Sequence, residues 1–180
     1  FFYISLFLFL FFPYSLSEDR NKVISGNATV IDGDTIKIKG ASIRLFGIDA
    51  PEKKQICYKD NKPYNCGHVS TKFLKRLIND NGKVDCYYKN KDRYKRIIAR
   101  CFSYINKKKE RINLNYMMVR NGHAIDYKRY SKGEYSQAEN IAKKERVGIW
   151  SGKFERPEDW RRKYKWFIMF KWFEYLILNY

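Results

Sequence analysis

Between Ala28 and Ile48 the chain alternates apolar and polar residues with period two and twice meets a glycine turn. Such a stretch reads as short strands, the first two of them a hairpin. Ala28-Thr29-Val30-Ile31 and Thr35-Ile36-Lys37-Ile38-Lys39 flank Asp32-Gly33-Asp34, and Asp-Gly is a strong tight-turn signal. The second strand alternates Ile and Lys, one face buried and one solvated. Gly40 leads into a third strand, Ser42–Ile48, with Ile43 and Leu45 on one face and Arg44 on the other. Val84–Tyr88 and Arg96–Phe102 read as a fourth and fifth strand around the polar loop Lys89–Lys95. Helices interrupt them. Val69, Phe73, Leu77 and Ile78 recur at helical spacing after Gly67, with a stop near Asn81-Gly82. A second helix is predicted over Asn113–Arg120. A third runs from about Glu134 to Arg146, with Tyr135, Ala138, Ile141 and Ala142 on one side and Gly148 beyond its end. The fold class is therefore α+β: five strands closing into a small barrel, with about three α-helices.

No internal repeat or Pro/Ser-rich linker divides residues 24–162, which read as one domain. Residues 1–17 are uncharged and mostly apolar, with Ser15-Leu16-Ser17 placed like a signal-peptidase site. The twelve residues Phe1–Phe12 make about 18 Å of helix, short of a ~30 Å hydrocarbon core, so an export signal is expected rather than a span. The tail, 163–180, is aromatic-rich. From Trp166 to Tyr180 only Lys171 and Glu174 are charged, and three roles stay open: lying in a membrane interface, packing on the domain, or remaining unordered.

The cysteines, Cys57, Cys66, Cys86 and Cys101, are even in number. Beside an export signal they suggest disulfides in an oxidising compartment. Pairing the fourth and fifth strands about their loop makes opposite residue numbers sum to 187, setting Cys86 against Cys101. Cys57 and Cys66 then close a short loop. A zinc site is disfavoured, because no CxxC occurs and His68 and His123 are not at ligand spacing. Lys and Arg number 37 against 19 Asp and Glu, a net charge of +18 that calls for a polyanionic partner, nucleic acid or an anionic membrane. With 44% hydrophobic and 18% aromatic residues in the whole chain, it is no disordered basic tail.

Four elements carry chemistry: Ile31-Asp32-Gly33-Asp34-Thr35, Arg44-Leu45-Phe46-Gly47-Ile48-Asp49-Ala50-Pro51-Glu52, Asp92-Arg93-Tyr94-Lys95-Arg96 and Gly148-Ile149-Trp150. Each alone has a structural explanation; their order and spacing are far more specific. From Ala28 to Trp150 the sequence resembles the staphylococcal nuclease (thermonuclease) family. It adds a tail, Gly152-Lys153-Phe154-Glu155-Arg156-Pro157-Glu158-Asp159-Trp160-Arg161, common in exported bacterial members. The resemblance implies an OB-fold barrel with three helices and calcium-dependent hydrolysis of DNA and RNA, mainly endonucleolytic, leaving 3′-phosphates. Matched motif to motif, Asp34 and Asp49 fall on the calcium-binding carboxylates and Ala50 on the residue offering a backbone carbonyl. Glu52 falls on the general base, and Arg44 and Arg96 on two phosphate-binding arginines. Two departures are Ala50 where the best-known member has Thr, and Lys95 where a Gly usually precedes the arginine.

The chemistry asks for these residue types independently. A phosphodiester repels hydroxide and gains charge at phosphorus during displacement. Calcium takes oxygen ligands such as two Asp and a carbonyl, and arginines offer permanently charged forks to the phosphate oxygens. A glutamate can orient or deprotonate water. Tyr94, Tyr127 and Tyr130 are candidates for contact with phosphate or bases. Lys72, Lys75, Arg76, Lys107, Lys108 and Lys109 would attract nucleic acid generally. The expectation is an exported monomeric calcium nuclease. Its rivals are a non-catalytic OB-fold module that binds nucleic acid and a basic protein held at a membrane surface by weak association of its apolar ends.

Overall fold

The computed structural model describes residues 22–78, 82–105 and 110–178; the apolar leader at 1–17 lies outside them. The first hairpin joins β1 (Lys22–Val30) to β2 (Thr35–Ile38), with Ile31 N–H donating to the Thr35 carbonyl at 2.9 Å. β3 (Ala41–Leu45) pairs antiparallel with β2, placing Ile43 and Leu45 inside and Arg44 outside. The third strand stops there rather than running on to Ile48. Phe46-Gly47 turns the chain, and Ile48–Asp49 form a separate strand, β4.

A hairpin not anticipated from the sequence follows, β5 (Ile56–Lys59) with β6 (Lys62–Asn65), and it lies inside the loop closed by the Cys57–Cys66 disulfide. Next comes α1 (Cys66–Ile78). Its buried stripe is Ser70, Leu74 and Ile78, while Val69 is exposed and Phe73 and Leu77 are half-buried. The inner face is thus rotated from the one that apolarity alone selects. Gly67 sets the phase: a Cβ there would sit 1.8 Å from the Glu52 carbonyl oxygen, so the helix enters in backbone contact with that loop.

β7 (Lys83–Lys91) and β8 (Ile97–Ile105) pair in the anticipated register from Val84↔Ser103 to Tyr88↔Ala99, then slip by one residue at a bulge to Lys91↔Ile97. Cys86 faces Cys101, and the two form a disulfide buried in the barrel. β1 is shared, Lys22–Asn27 with β7 and Ala28–Val30 with β2. Parallel pairing of β3 with β8, Ile43↔Ile97 to Leu45↔Ala99, closes the five-stranded barrel. This is the α+β, OB-type architecture predicted above.

β9 (Glu110–Asn113) extends β8, and Asn113 caps α2 (Leu114–Arg120) by accepting from Tyr116 N–H. β10 (Ile125–Asp126) pairs with β4, α3 (Lys128–Ser131) is a single turn, and α4 (Ser136–Lys144) packs Ala138 and Ala142 inward. Asn115 is fully buried and fully used. Its amide donates to the carbonyls of Phe46 and Ala99 and accepts from Cys101 N–H, fastening α2 to the barrel wall.

After a short 3-10 helix (Gly148–Ser151), Tyr58 and Lys153 exchange two backbone hydrogen bonds of 2.8 Å. The chain then enters α5 (Pro157–Leu178), with proline at its first position and Glu158 and Asp159 in its first turn. This helix passes unbroken through position 162, so the aromatic tail is its continuation. Trp166, Phe167, Ile168, Met169, Phe170 and Trp172 are all exposed along it. α1, α2 and α4 are the three helices anticipated, and α3 and α5 are additional.

His123 stacks on Phe73 with ring centroids 4.0 Å apart, near Arg76. Burial first, and Arg76 second, lower its pKa from the ordinary 6.5 to about 4. Between those values the unfolded chain takes up a proton that the folded protein refuses. Stability should therefore rise with pH from about 4 to 6.5, by roughly 1–3 kcal/mol, and be fully present above that window. Urea unfolding of wild type and His123→Phe across this range checks it: the substitution should flatten that part of the profile.

Candidate active site

Arg44 stands on the outer face of β3 because its neighbours fill the barrel. Its guanidinium forks between two carboxylates. Nη1 donates to Asp34 Oδ1, and Nη2 donates to Asp49 Oδ1 at 3.0 Å. Asp34 closes the first hairpin turn, and its other oxygen accepts from Ala50 N–H at 2.9 Å. Gly33 lets that turn approach: a Cβ there would meet Ala50 Cβ at 2.7 Å and Ser70 Cβ at 2.9 Å. Asp34 and Asp49 are 3% and 0% exposed. Asp49 owes its position to β4, which β10 holds by the Ile125↔Asp49 pair.

Glu52 follows at the mouth, half-buried. Its N–H donates to Gln55 Oε1 at 3.1 Å, and its carbonyl accepts from Gln55 N–H at 2.7 Å. Gln55, fully buried, donates its amide to the Glu155 carbonyl at 2.7 Å, so one side chain ties the Glu52 loop to the segment entering α5. The helix then delivers Arg161. Its Nη1 reaches Asp49 Oδ1 at 2.9 Å and Glu52 Oε1 at 2.8 Å, and its Nη2 reaches Asp49 Oδ2 at 3.1 Å.

The structure therefore gathers Asp34, Asp49, Ala50, Glu52 and Arg44. Arg96 lies on the same outer face but is differently engaged. It directly precedes Ile97, the partner of Ile43, so it stands about one pleat repeat from the position opposite Arg44. Its guanidinium is held by Asp92, both Nε and Nη2 donating to Oδ2 at 2.8 Å, rather than by the central carboxylates. Asp92 also accepts from the N–H groups of Tyr94 and Arg96, wrapping the turn around itself. Lys95, where the family usually has Gly, takes a left-handed conformation with φ 64°. Tyr94 is exposed beneath the Arg93 and Arg96 guanidinium groups. Tyr127 meets Tyr130 edge-on at 4.9 Å, and burial, with a hydrogen bond to Glu158, pushes its hydroxyl up to about 12.

Electrostatics follow from burial. Asp49 is raised by desolvation, which outweighs the Arg161 and Arg44 contacts. Asp32, beside Asp34, is raised first by burial and then by that neighbour's charge. Burial works to lower both Arg44 and Arg161, yet both are raised, Arg44 by Asp34 and Asp49, and Arg161 by Asp49 and Glu52. Four carboxyl groups, Asp32, Asp34, Asp49 and Glu52, face two guanidinium groups, which leaves room for added positive charge. Among the described residues no three acidic, imidazole or thiolate ligands converge on one point. The oxygens of Asp34, Asp49 and Ala50 are nevertheless the hard donors that a calcium ion takes.

A sequence model described as staphylococcal nuclease homologue matches residues 42–152. The chain belongs to the staphylococcal nuclease homologue family. It is 35% identical over 128 residues to the succinoglycan biosynthesis protein ExoI of Rhizobium meliloti, covering 71% of this chain and 64% of that protein, just under two thirds of its length. It is 35% identical to an uncharacterized endonuclease of Escherichia coli, over 83% of this chain and 89% of the relative. A similar endonuclease of Haemophilus influenzae is 33% identical over 88% of this chain and 84% of its own. The family and the two endonuclease relatives are consistent with a hydrolase acting on ester bonds.

The family match takes in Arg44, Asp49, Ala50, Glu52 and Arg96 but stops short of Arg161. Sequence reading did not select Arg161, because Arg162 and Lys163 beside it are chemically alike and only the phase of α5 aims one of them at Asp49. Gln55 and Asn115 escaped for a similar reason: a lone amide carries no spacing signal.

Two outcomes are expected. Removing one guanidinium from fully buried Asp49 leaves its charge less compensated, so Arg161→Gln should cost about 1–3 kcal/mol in urea unfolding with chelator present. Lys95→Gly relieves a left-handed lysine and should add up to about 1 kcal/mol in the same assay.

Proposed function

We propose that the protein is an exported, calcium-dependent nuclease that cuts DNA and RNA endonucleolytically, leaving 3′-phosphate ends. The observation that carries the reading is the Arg44 fork joining Asp34 and Asp49 beside Glu52. A solvated surface has no reason to bury two carboxylates around a guanidinium. A phosphodiesterase has one, because it must place an anion-binding cation next to oxygen ligands for a metal.

Asp34, Asp49 and the Ala50 carbonyl would hold the calcium ion, which when bound supplies charge neutralisation and Lewis acidity to a phosphate oxygen. The chain's own groups do the rest. Arg44 directs N–H donors at the non-bridging oxygens. Arg96 joins it from the neighbouring strand by exchanging Asp92 for phosphate, two anions competing for one fork. Glu52, held at its backbone by Gln55, accepts a proton from water as the water oxygen bonds to phosphorus. The bond from phosphorus to the 5′ oxygen breaks, the phosphate stays on the 3′ side, and the departing 5′ oxygen takes up a proton. Donors fixed in advance to meet developing charge contribute several kcal/mol to such a barrier.

Export is supported by the two disulfides, whose formation needs an oxidising compartment, and by the apolar leader. The net charge of +18 attracts the polyanionic substrate.

With single-stranded DNA, duplex DNA and RNA as substrates, calcium should support cleavage and chelator should abolish it. Arg44→Ala, Arg96→Ala and Glu52→Gln should each lower kcat by about 10²–10³ with the near-UV circular dichroism preserved. Asp34→Ala should chiefly raise the calcium concentration required. Near-normal cleavage by all three site variants would defeat the reading and favour a binding module.

A further inference from the structure

Beyond the family-matched barrel, the first turns of α5 stand opposite the Glu52 loop and enclose with it an open cleft of about 460 Å³. The helix wall carries Trp160, Tyr164 and Lys165, the loop wall carries Lys53 and Lys54, and Arg161 and Glu52 lie where the walls meet. Trp160 and Tyr164, one helical turn apart, are stacked nearly parallel, with centroids 4.9 Å apart and planes 9° apart. Tyr164 is 41% exposed. Aromatic side chains buried in a core leave no such open face. Here a stacked pair of rings, with Tyr164 its more exposed member, is flanked by ammonium groups at the edge of the candidate site.

The wall is anchored. The Tyr58–Lys153 bridge, the Gln55–Glu155 hydrogen bond and the Arg161 contacts with Asp49 and Glu52 fix the start of α5 to the barrel at three successive points. A platform held this firmly costs little to order on binding.

We propose that this cleft is a nucleotide subsite for single-stranded nucleic acid: one base flanking the scissile linkage stacks against the Trp160–Tyr164 pair, while Lys54 and Lys165 pair with the adjoining phosphates. The identity of the strand rests on the nuclease reading above. Size and chemistry fit a nucleotide: pockets for such ligands begin at about 300 Å³, every base has a face to stack, and basic residues track the backbone. A duplex hides its base faces, so the subsite favours single strands or locally opened ones. The aromatic residues further along α5, Trp166 to Trp172, lie beyond Arg161 and the Glu52 loop and are assigned no part in it.

Binding of a fluorescein-labelled oligothymidylate of about ten nucleotides, followed by anisotropy in chelator, separates recognition from cutting. Kinetics on single-stranded and duplex DNA in calcium complete the test. Tyr164→Ala should weaken oligonucleotide binding and raise the single-strand KM about five- to tenfold without a matching fall in kcat, and with the duplex KM little changed. Tyr164→Phe, which keeps the ring, should rescue binding. Charge reversal at Lys54 and Lys165 should weaken binding and reduce its salt dependence, and Phe170→Ala serves as the off-cleft control. Unchanged binding and KM in Tyr164→Ala would overturn the subsite, as would an equal loss in Phe170→Ala. So would a loss confined to binding of anionic phosphatidylserine vesicles, which would assign the face to a membrane. A wild-type protein that binds the oligonucleotide through Tyr164 yet cuts nothing in calcium would instead overturn the nuclease reading and leave the subsite standing.

Discussion

Two buried carboxylates held side by side need compensating charge, and Arg44 is the cation that bridges both. Like charges about 4 Å apart repel by about 4 kcal/mol in an environment of intermediate polarity, a sizeable fraction of a domain's whole stability. The guanidinium turns this repulsion into two charge-assisted hydrogen bonds. Much of the surrounding architecture serves that geometry. The Asp-Gly turn lifts Asp34 against Ala50, the break after Leu45 frees β4 to swing Asp49 under Arg44, and β10 clamps β4 in place. Parallel closure of β3 on β8 then brings the Arg96 turn alongside.

Much of this was legible in the sequence because it rests on local rules. Period-two alternation and Asp-Gly fixed the first hairpin. The constant sum of paired residue numbers placed Cys86 opposite Cys101, and it failed only at the bulge before Lys91, where an extra residue enters one strand. The helix after Gly67 was visible but its inner face was not, since a backbone contact with Glu52 outweighs the apolar preference of Val69. The third strand read as continuous to Ile48, although the adjacent Leu45-Phe46 already breaks the alternation, and the chain turns at Gly47 with φ 71°.

The candidate site divides the same way. Asp34, Arg44, Asp49, Ala50 and Glu52 sit in motifs short enough to be read and long enough to be specific. Arg96 was also readable, but its pairing with Asp92 was not, because a resting ion pair within a turn leaves no trace in spacing. Arg161 lies more than a hundred residues from the carboxylates it meets. Its selection over Arg162 depends on the exact angle at which α5 leaves the barrel, which is set by the Tyr58–Lys153 bridge and by Gln55. Long-range placement of this kind is a property of the assembled chain.

Gln55 offers one amide group to two masters, the N–H of Glu52 and the carbonyl of Glu155. The placement of the carboxylate at the mouth is thereby shared with the strand of chain that leads out of the barrel. The family match ends at residue 152, yet the framework around Glu52 does not. The smallest fragment carrying the candidate site intact is accordingly longer than the barrel itself, and a chain trimmed to the family-matched residues would lose part of the support of Glu52.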